Sequence, residues 1–211
     1  MCNLSGFISI DCGIPEGSNY TDAITGIHYS SDKGFIDTGL SRTVSPEFKV
    51  DEILVQQFLT LRSFPQGTRN CYNLRPAKGK GNRYLIRARF LYGNYDRKNQ
   101  LPQFDMHLGV EYWDTITFDE ASSLMRYEII HIPTSDYINI CFINTGYGTP
   151  FVSSLELRSL SDTIYDTKSG SLNSFLRWDL GSKTDEYVKY ANFFICQCLC
   201  RKKTVKNIHD R

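Results

Sequence analysis

Tyr84-Leu-Ile-Arg-Ala-Arg-Phe-Leu-Tyr92 is the stretch that decides the fold class. Side chains alternate in an extended chain, so Tyr84, Ile86, Ala88, Phe90 and Tyr92 share one face, and Leu85, Arg87, Arg89 and Leu91 share the other. The aromatic face is a core face. The face carrying Arg87 and Arg89 reads as solvated, the default for strand arginines that form no dense patch with Arg62 or Arg69. Upstream lie Phe7-Ile-Ser-Ile-Asp11, Phe35-Ile-Asp-Thr38 and Leu59-Thr-Leu-Arg-Ser-Phe64, each a short strand stopped by Gly or Pro. Downstream lie Phe104–Leu108, Trp113–Phe118, Tyr127–Ile132, Tyr137–Ile143 and Phe151–Leu157. Pro133-Thr-Ser-Asp136 reads as a hairpin turn between two of them. No helical stripe of useful length interrupts the series. Short strands separated by turn signals indicate an all-β sandwich or jelly roll.

Composition excludes several classes. The 211 residues are 41% hydrophobic and 13% aromatic, enough to bury a real core. With 24 Lys and Arg against 23 Asp and Glu, no charge excess calls for nucleic acid or an acidic membrane. The cysteines are Cys2, Cys12, Cys71, Cys141, Cys196, Cys198 and Cys200, none in C-x-x-C spacing, and His28, His107, His131 and His209 are scattered. This argues against zinc and for buried thiols or one disulfide; no cofactor is expected. Asn3-Leu-Ser5 and Asn19-Tyr-Thr21 are N-glycosylation sequons. The start lacks the basic and apolar regions of a signal peptide, and the longest apolar stretch, Ala191 to Cys200, is too short to span a bilayer.

A catalytic reading finds little to build on. Asp96, Asp105, Glu111, Asp114 and Glu128 are the available carboxylates, but no spacing selects a facing pair, and no G-x-S-x-G elbow positions a serine. A non-enzymatic module is expected. The loop Tyr92-Gly-Asn-Tyr-Asp96 offers a ring to stack on a pyranose and polar groups to read its hydroxyls. The same residues could equally cap the core and satisfy their own backbone.

Taken together, Phe7-Ile-Ser-Ile-Asp-Cys-Gly13, Tyr20-Thr-Asp22, Gly26-Ile-His-Tyr29, Leu61-Arg-Ser-Phe-Pro65, Arg69-Asn-Cys-Tyr72, Tyr84-Leu-Ile-Arg-Ala88, Tyr92-Gly-Asn-Tyr-Asp96 and Asn144-Thr-Gly-Tyr-Gly-Thr-Pro-Phe151 resemble the malectin-like extracellular domain of plant leucine-rich-repeat receptor kinases. The resemblance runs from about Gly6 to Tyr190. It implies a malectin-type module over 6–161, a linker and incomplete start of a second module over 162–190, and a divergent, unstructured tail over 191–211, as in a truncated form. It also implies a carbohydrate-recognition role on the extracellular side of the plasma membrane, with a cell-wall glycan or oligosaccharide as partner. By this likeness the aromatic glycan contacts of malectin fall near Tyr29, Tyr72, Asn94 and Tyr95; the loop itself adds Asp96 as a hydrogen-bonding group, and Tyr147, expected to be exposed between its glycines, completes the candidate glycan-binding residues. The carboxylate of animal malectin would fall near Gly148 and Thr149, where this chain has no acid. The competing reading is a module that binds a peptide or co-receptor. Convergence of Tyr29, Tyr72 and Tyr95 in one cleft favours glycan; separate burial favours a protein surface.

Overall fold

The computed structural model describes residues 7–49, 56–161, 171–174 and 205–207. The strands are β1 (Ile8–Asp11), β2 (Asn19–Thr21), β3 (His28–Ser31), β4 (Leu40–Thr43), β5 (Thr60–Ser63), β6 (Arg69–Leu74), β7 (Tyr84–Leu91), β8 (Gln103–Leu108), β9 (Glu111–Ile116), β10 (Leu124–His131), β11 (Ile138–Tyr147), β12 (Phe151–Val152), β13 (Ser154–Ser159), β14 (Ser171–Ser174) and β15 (Val205–Asn207). They form an eight-stranded sheet in the order β15-β14-β10-β7-β13-β1-β3-β2, a four-stranded sheet β6-β11-β8-β9 and a three-stranded sheet β12-β5-β4. The all-β expectation holds. Ser171–Ser174, at the linker's end by sequence, here extends the large sheet by pairing with β10. The rest of 162–204, with Trp178 and the terminal cysteines, lies outside the described residues, as do Cys2 and Asn3.

The core forms where the three sheets meet. Phe90 on β7 contacts the rings of Phe104 and Phe142 from the four-stranded sheet and Phe151 from the three-stranded one, with centroids 6.0, 6.1 and 6.0 Å away. Tyr127, its neighbour within the large sheet, stands 5.8 Å away edge-on. Such packing places apolar area in van der Waals contact on every side, so truncating Phe90 would cost about 3–5 kcal/mol.

Two local readings change. Phe35–Thr38 is not a strand: Gly34 and Gly39 sit at φ 88° and 87°, breaking the chain on both sides, and the strand begins at Leu40 instead. Pro133–Asp136 makes no hairpin either, because β10 pairs with β7 and β14 while β11 pairs with β6 and β8, so the chain crosses the sandwich there. The true tight hairpin is Gly109-Val110 between β8 and β9, with Gly109 at φ 60°. Cys71 and Cys141 face each other on β6 and β11 and form a disulfide across 70 residues of chain, while Cys12 is a buried free thiol.

The largest correction concerns the second face of β7. Arg87 and Arg89 are buried, 6% and 4% exposed. A register row across the large sheet reads Ser9, Glu156, Arg87, Glu128, and on the far side of β1 Tyr29 stands opposite Tyr20. Glu156 is its centre. It accepts from Tyr29 Oη at 2.6 Å and Arg87 Nη1 at 2.8 Å, and pairs with Arg89 at 2.8 Å and Arg158 at 3.2 Å. Arg87 Nε also donates to Glu128 at 2.6 Å. Gln57 relays the network outward, its oxygen accepting from Arg89 and its nitrogen donating to Asp22. Burial alone would raise the Glu156 carboxyl, but the three guanidiniums and the Tyr29 phenol hold it down at about 2.

Removing one member of a buried charge network strands the others. Glu156→Gln should therefore lower unfolding free energy by about 3–5 kcal/mol in urea titrations at neutral pH. Arg126→Gln, at an exposed guanidinium 4.0 Å from Glu128, should shift it by less than about 1 kcal/mol. Because the folded Glu156 titrates below its ordinary range, its contribution persists at any pH above about 4.5 and fades only as pH falls toward about 2.

Candidate functional site

The residues named from sequence do not gather. Tyr29 lies on the far face of the large sheet, fully buried, its ring stacked on Tyr20 at 5.6 Å and its hydroxyl spent on Glu156. Tyr72 is equally buried between the sheets, edge-on to Phe64 and Phe142, and donates to Asp32 Oδ2 at 2.9 Å. Asp32 in turn holds Arg62 through both guanidinium nitrogens that face it. Tyr95 packs against Tyr92 at 5.6 Å and Phe151 at 5.4 Å, closing the end of the core. Three rings that a glycan cleft would bring together point to three places.

The loop after β7 is satisfied from within. Tyr92 Oη donates to Asp96 Oδ1 at 2.6 Å, and the same oxygen receives the Lys98 backbone amide at 3.2 Å. Asn94 and Asn99 are reciprocally bonded: Asn94 Nδ2 donates to Asn99 Oδ1 at 2.7 Å, and Asn99 N donates to Asn94 Oδ1 at 2.9 Å. Ser45 Oγ fixes the Asn94 carbonyl at 2.8 Å. These bonds hold Asn94, Arg97 and Asn99 at φ 44°, 58° and 51°, the left-handed region where a bonded Asn is tolerated. Gly93 is needed for another reason: a Cβ there would meet Val44 at 2.6 Å.

Tyr147 differs from all of these. It ends β11 opposite Gln103 and is 67% exposed. Gly146 and Gly148 flank it at φ 89° and 111°, and Gly148 lies so close to Pro102 that a Cβ would stand 2.7 Å from it. Leu101, two residues before Gln103, is exposed too, as is Leu40 at the start of β4, which joins this end through the row Leu40, Ser63, Phe151. A second exposed apolar group lies at the β8–β9 hairpin: Val110 at 83%, Tyr112, and Tyr137 beside them, with Gly109 N bonded to Asn139 O at 2.7 Å. Tyr147 was expected to be exposed from its flanking glycines, but its apolar neighbours and the hairpin group were not visible in sequence, because strand alternation does not say which side chain a neighbouring sheet covers.

Of the carboxylates weighed for catalysis, Asp96 serves its loop, Asp105 accepts from Thr115 Oγ1 at 2.6 Å, and Glu128 is buried on Arg87. Among the described residues no group of three or more His, Cys, Asp and Glu side chains is placed to hold a metal ion. Among the described residues no helix is long and apolar enough to cross a membrane.

A family model for the malectin-like domain matches residues 10–192. The chain belongs to the malectin-like family. A putative leucine-rich repeat receptor-like protein kinase of Arabidopsis thaliana is 48% identical over 186 residues, which is 88% of this chain and 21% of that protein. The receptor-like serine/threonine-protein kinase IOS1 of the same plant is 44% identical over 186 residues, 88% of this chain and 20% of that protein. This malectin-like chain therefore spans about a fifth of the length of the curated relatives it matches. Among solved structures, the ANX1 ectodomain of Arabidopsis thaliana superposes with a TM-score of 0.67 at 18% identity, over 84% of this chain and 50% of that one. A chain from the complex of plant peptide RALF23 with FER and LLG2 does so with a TM-score of 0.62 at 16% identity, over 84% and 49%. At these identities the solved structures share the fold with the malectin-like chain.

Burial separates the site residues by what substitution should do. Tyr95→Ala removes a ring wedged between two others and should cost about 3 kcal/mol of stability, whereas Tyr147→Ala should cost less than about 0.5; urea unfolding of the two variants measures both.

The first family block carries a pH-sensitive group of its own. Asp11 is buried, accepting from Thr60 Oγ1 and Tyr20 Oη at 2.8 Å each; burial outweighs these bonds and pushes its carboxyl up to about 6. A carboxyl raised in the folded state binds its proton more readily there, so its stabilising effect is present at low pH and lost as pH rises through about 6. Asp11→Asn should thus gain on the wild type by about 2–3 kcal/mol between pH 4 and pH 7 in unfolding titrations. The difference between the two proteins isolates Asp11 from His131, whose burial lowers it to about 4 and gives a slope of opposite sign.

Proposed function

We propose that this malectin-like chain is a recognition module of a plant receptor-kinase ectodomain that binds a peptide or co-receptor protein at the sandwich end bearing Tyr147. The observation that carries the reading is that Tyr29 and Tyr72 are buried and Tyr95 is half-buried, each in a different place. A glycan site needs flat rings brought together in a concave place, and these rings are already engaged with Glu156, Asp32 and Phe151. An exposed tyrosine on a rigid turn, with apolar neighbours at the same end, suits a protein partner, since Tyr contributes large contact area at low entropic cost. The likeness to a chain solved with a peptide and LLG2 supports the same class of partner. A binding role fits the observation that Asp96, Asp105 and Glu128, three of the carboxylates weighed for catalysis, serve the fold. It resides on the extracellular side of the plasma membrane, where receptor kinases present their ectodomains.

The test is calorimetry on the folded protein with two ligand panels: secreted plant peptides including RALF23, together with LLG2, and cell-wall oligosaccharides with glucose disaccharides. Saturable binding in the first panel, weakened about tenfold or more by Tyr147→Ala, is the expected result. Binding confined to the sugar panel would replace this reading with the glycan one.

A further inference from the structure

Asn19 begins β2, the last strand of the large sheet, and among the described residues no strand pairs with the other edge of β2. Its pairing with β3 places Asn19 opposite Ser30 and Thr21 opposite His28, while Tyr20 turns to the other face to meet Tyr29 and Asp11. Asn19 and Thr21 are exposed. Every other asparagine whose side chain is described commits its amide to a hydrogen bond, as in the Asn73–Asn139 and Asn94–Asn99 pairs. The Asn19 amide makes none with any described residue. Asn19 is also the one asparagine among the described residues that is followed by x-Ser or x-Thr.

We infer that Asn19 is an N-glycosylation site whose glycan covers the open edge of β2. The inference rests on the extracellular placement proposed above. The co-reactant is an oligosaccharide carried on a lipid pyrophosphate in the secretory lumen. The Asn19 Nδ2 atom forms a bond to the anomeric carbon, the bond from that carbon to the pyrophosphate oxygen breaks, the lipid pyrophosphate leaves, and Nδ2 gives up one proton. The Thr21 hydroxyl is the residue the sequon requires two places on. Because Asn19 is exposed and its amide is bonded to no described residue, the folded sheet accommodates the sugar without rearrangement. Open edges offer unpaired N–H and C=O groups to other chains, and a bulky hydrated group beside β2 blocks that pairing.

The protein, carrying an added secretion leader, is produced in a eukaryotic host and released with peptide N-glycosidase in heavy-oxygen water. Peptide mass mapping should find residue 19 as labelled aspartate, and Thr21→Ala should abolish the label while Asn3→Gln leaves it. Asn19→Gln, at an exposed position, should fold as the wild type does and show more dimer on size-exclusion chromatography. Unlabelled Asn19 in secreted, folded wild-type protein would overturn the site, and an unchanged monomer for Asn19→Gln would overturn the edge-covering role. The leader supplies the route, so neither failure touches the receptor-ectodomain reading.

Discussion

One carboxylate carries more of this structure than any other group. Glu156 stands at the middle strand of the large sheet with three guanidiniums and a phenol around it, on a face from which water is excluded. Strands buried on both faces ordinarily carry apolar residues on both. β7 is buried along its whole length yet is apolar on only one face. Its second face is tolerable because each charge there has a fixed partner: Arg87 is shared between Glu156 and Glu128, Arg89 between Glu156, Tyr29 and Gln57, and Arg158 between Glu156 and the Ile8 carbonyl. Two of the guanidiniums also lie over rings, that of Arg158 5.3 Å from the Phe7 centroid and that of Arg89 5.9 Å from the Phe58 centroid.

The sequence blocks that carry the family resemblance sit at such polar junctions. Asp11 ties β2 to β5 through Tyr20 and Thr60, and Gly13 follows because the chain runs against Leu61, where a Cβ would stand 2.3 Å from the carbonyl oxygen. Arg62 and Tyr72 close on Asp32, joining β5 and β6 through the turn after β3. Tyr29, which looks like a ligand contact by position, belongs to the Glu156 network. The family signature thus records how this sandwich is wired inside.

The all-β class was legible because it depends on a local property, alternation in Tyr84–Tyr92 and its neighbours. The partner of each strand was not, because pairing is set by contacts far apart in sequence: Pro133–Asp136 has the composition of a hairpin turn yet joins two different sheets. Short strands such as Leu40–Thr43, exposed at every position, carry no hydrophobic period to read. Arginine misled for a related reason. Nothing within β7 shows that Glu156, sixty-nine residues from Arg87, lies beside it. Tyr147 was readable, since two flanking glycines leave a side chain little to pack against.

The same division explains where recognition can reside. A side chain bonded inside the scaffold cannot serve a ligand without giving up its partner, at a cost of about 1–3 kcal/mol for each buried polar group left unpaired. Tyr29, Tyr72, Asn94 and Asp96 are committed in this way. Their bonds have an indirect use: the reciprocal Asn94–Asn99 pair and the close contact of Gly148 with Pro102 fix the two loops that frame Tyr147, so little freedom remains to be lost when a partner docks. A tyrosine without internal duties on a turn without slack is what an interior wired this tightly leaves available for binding.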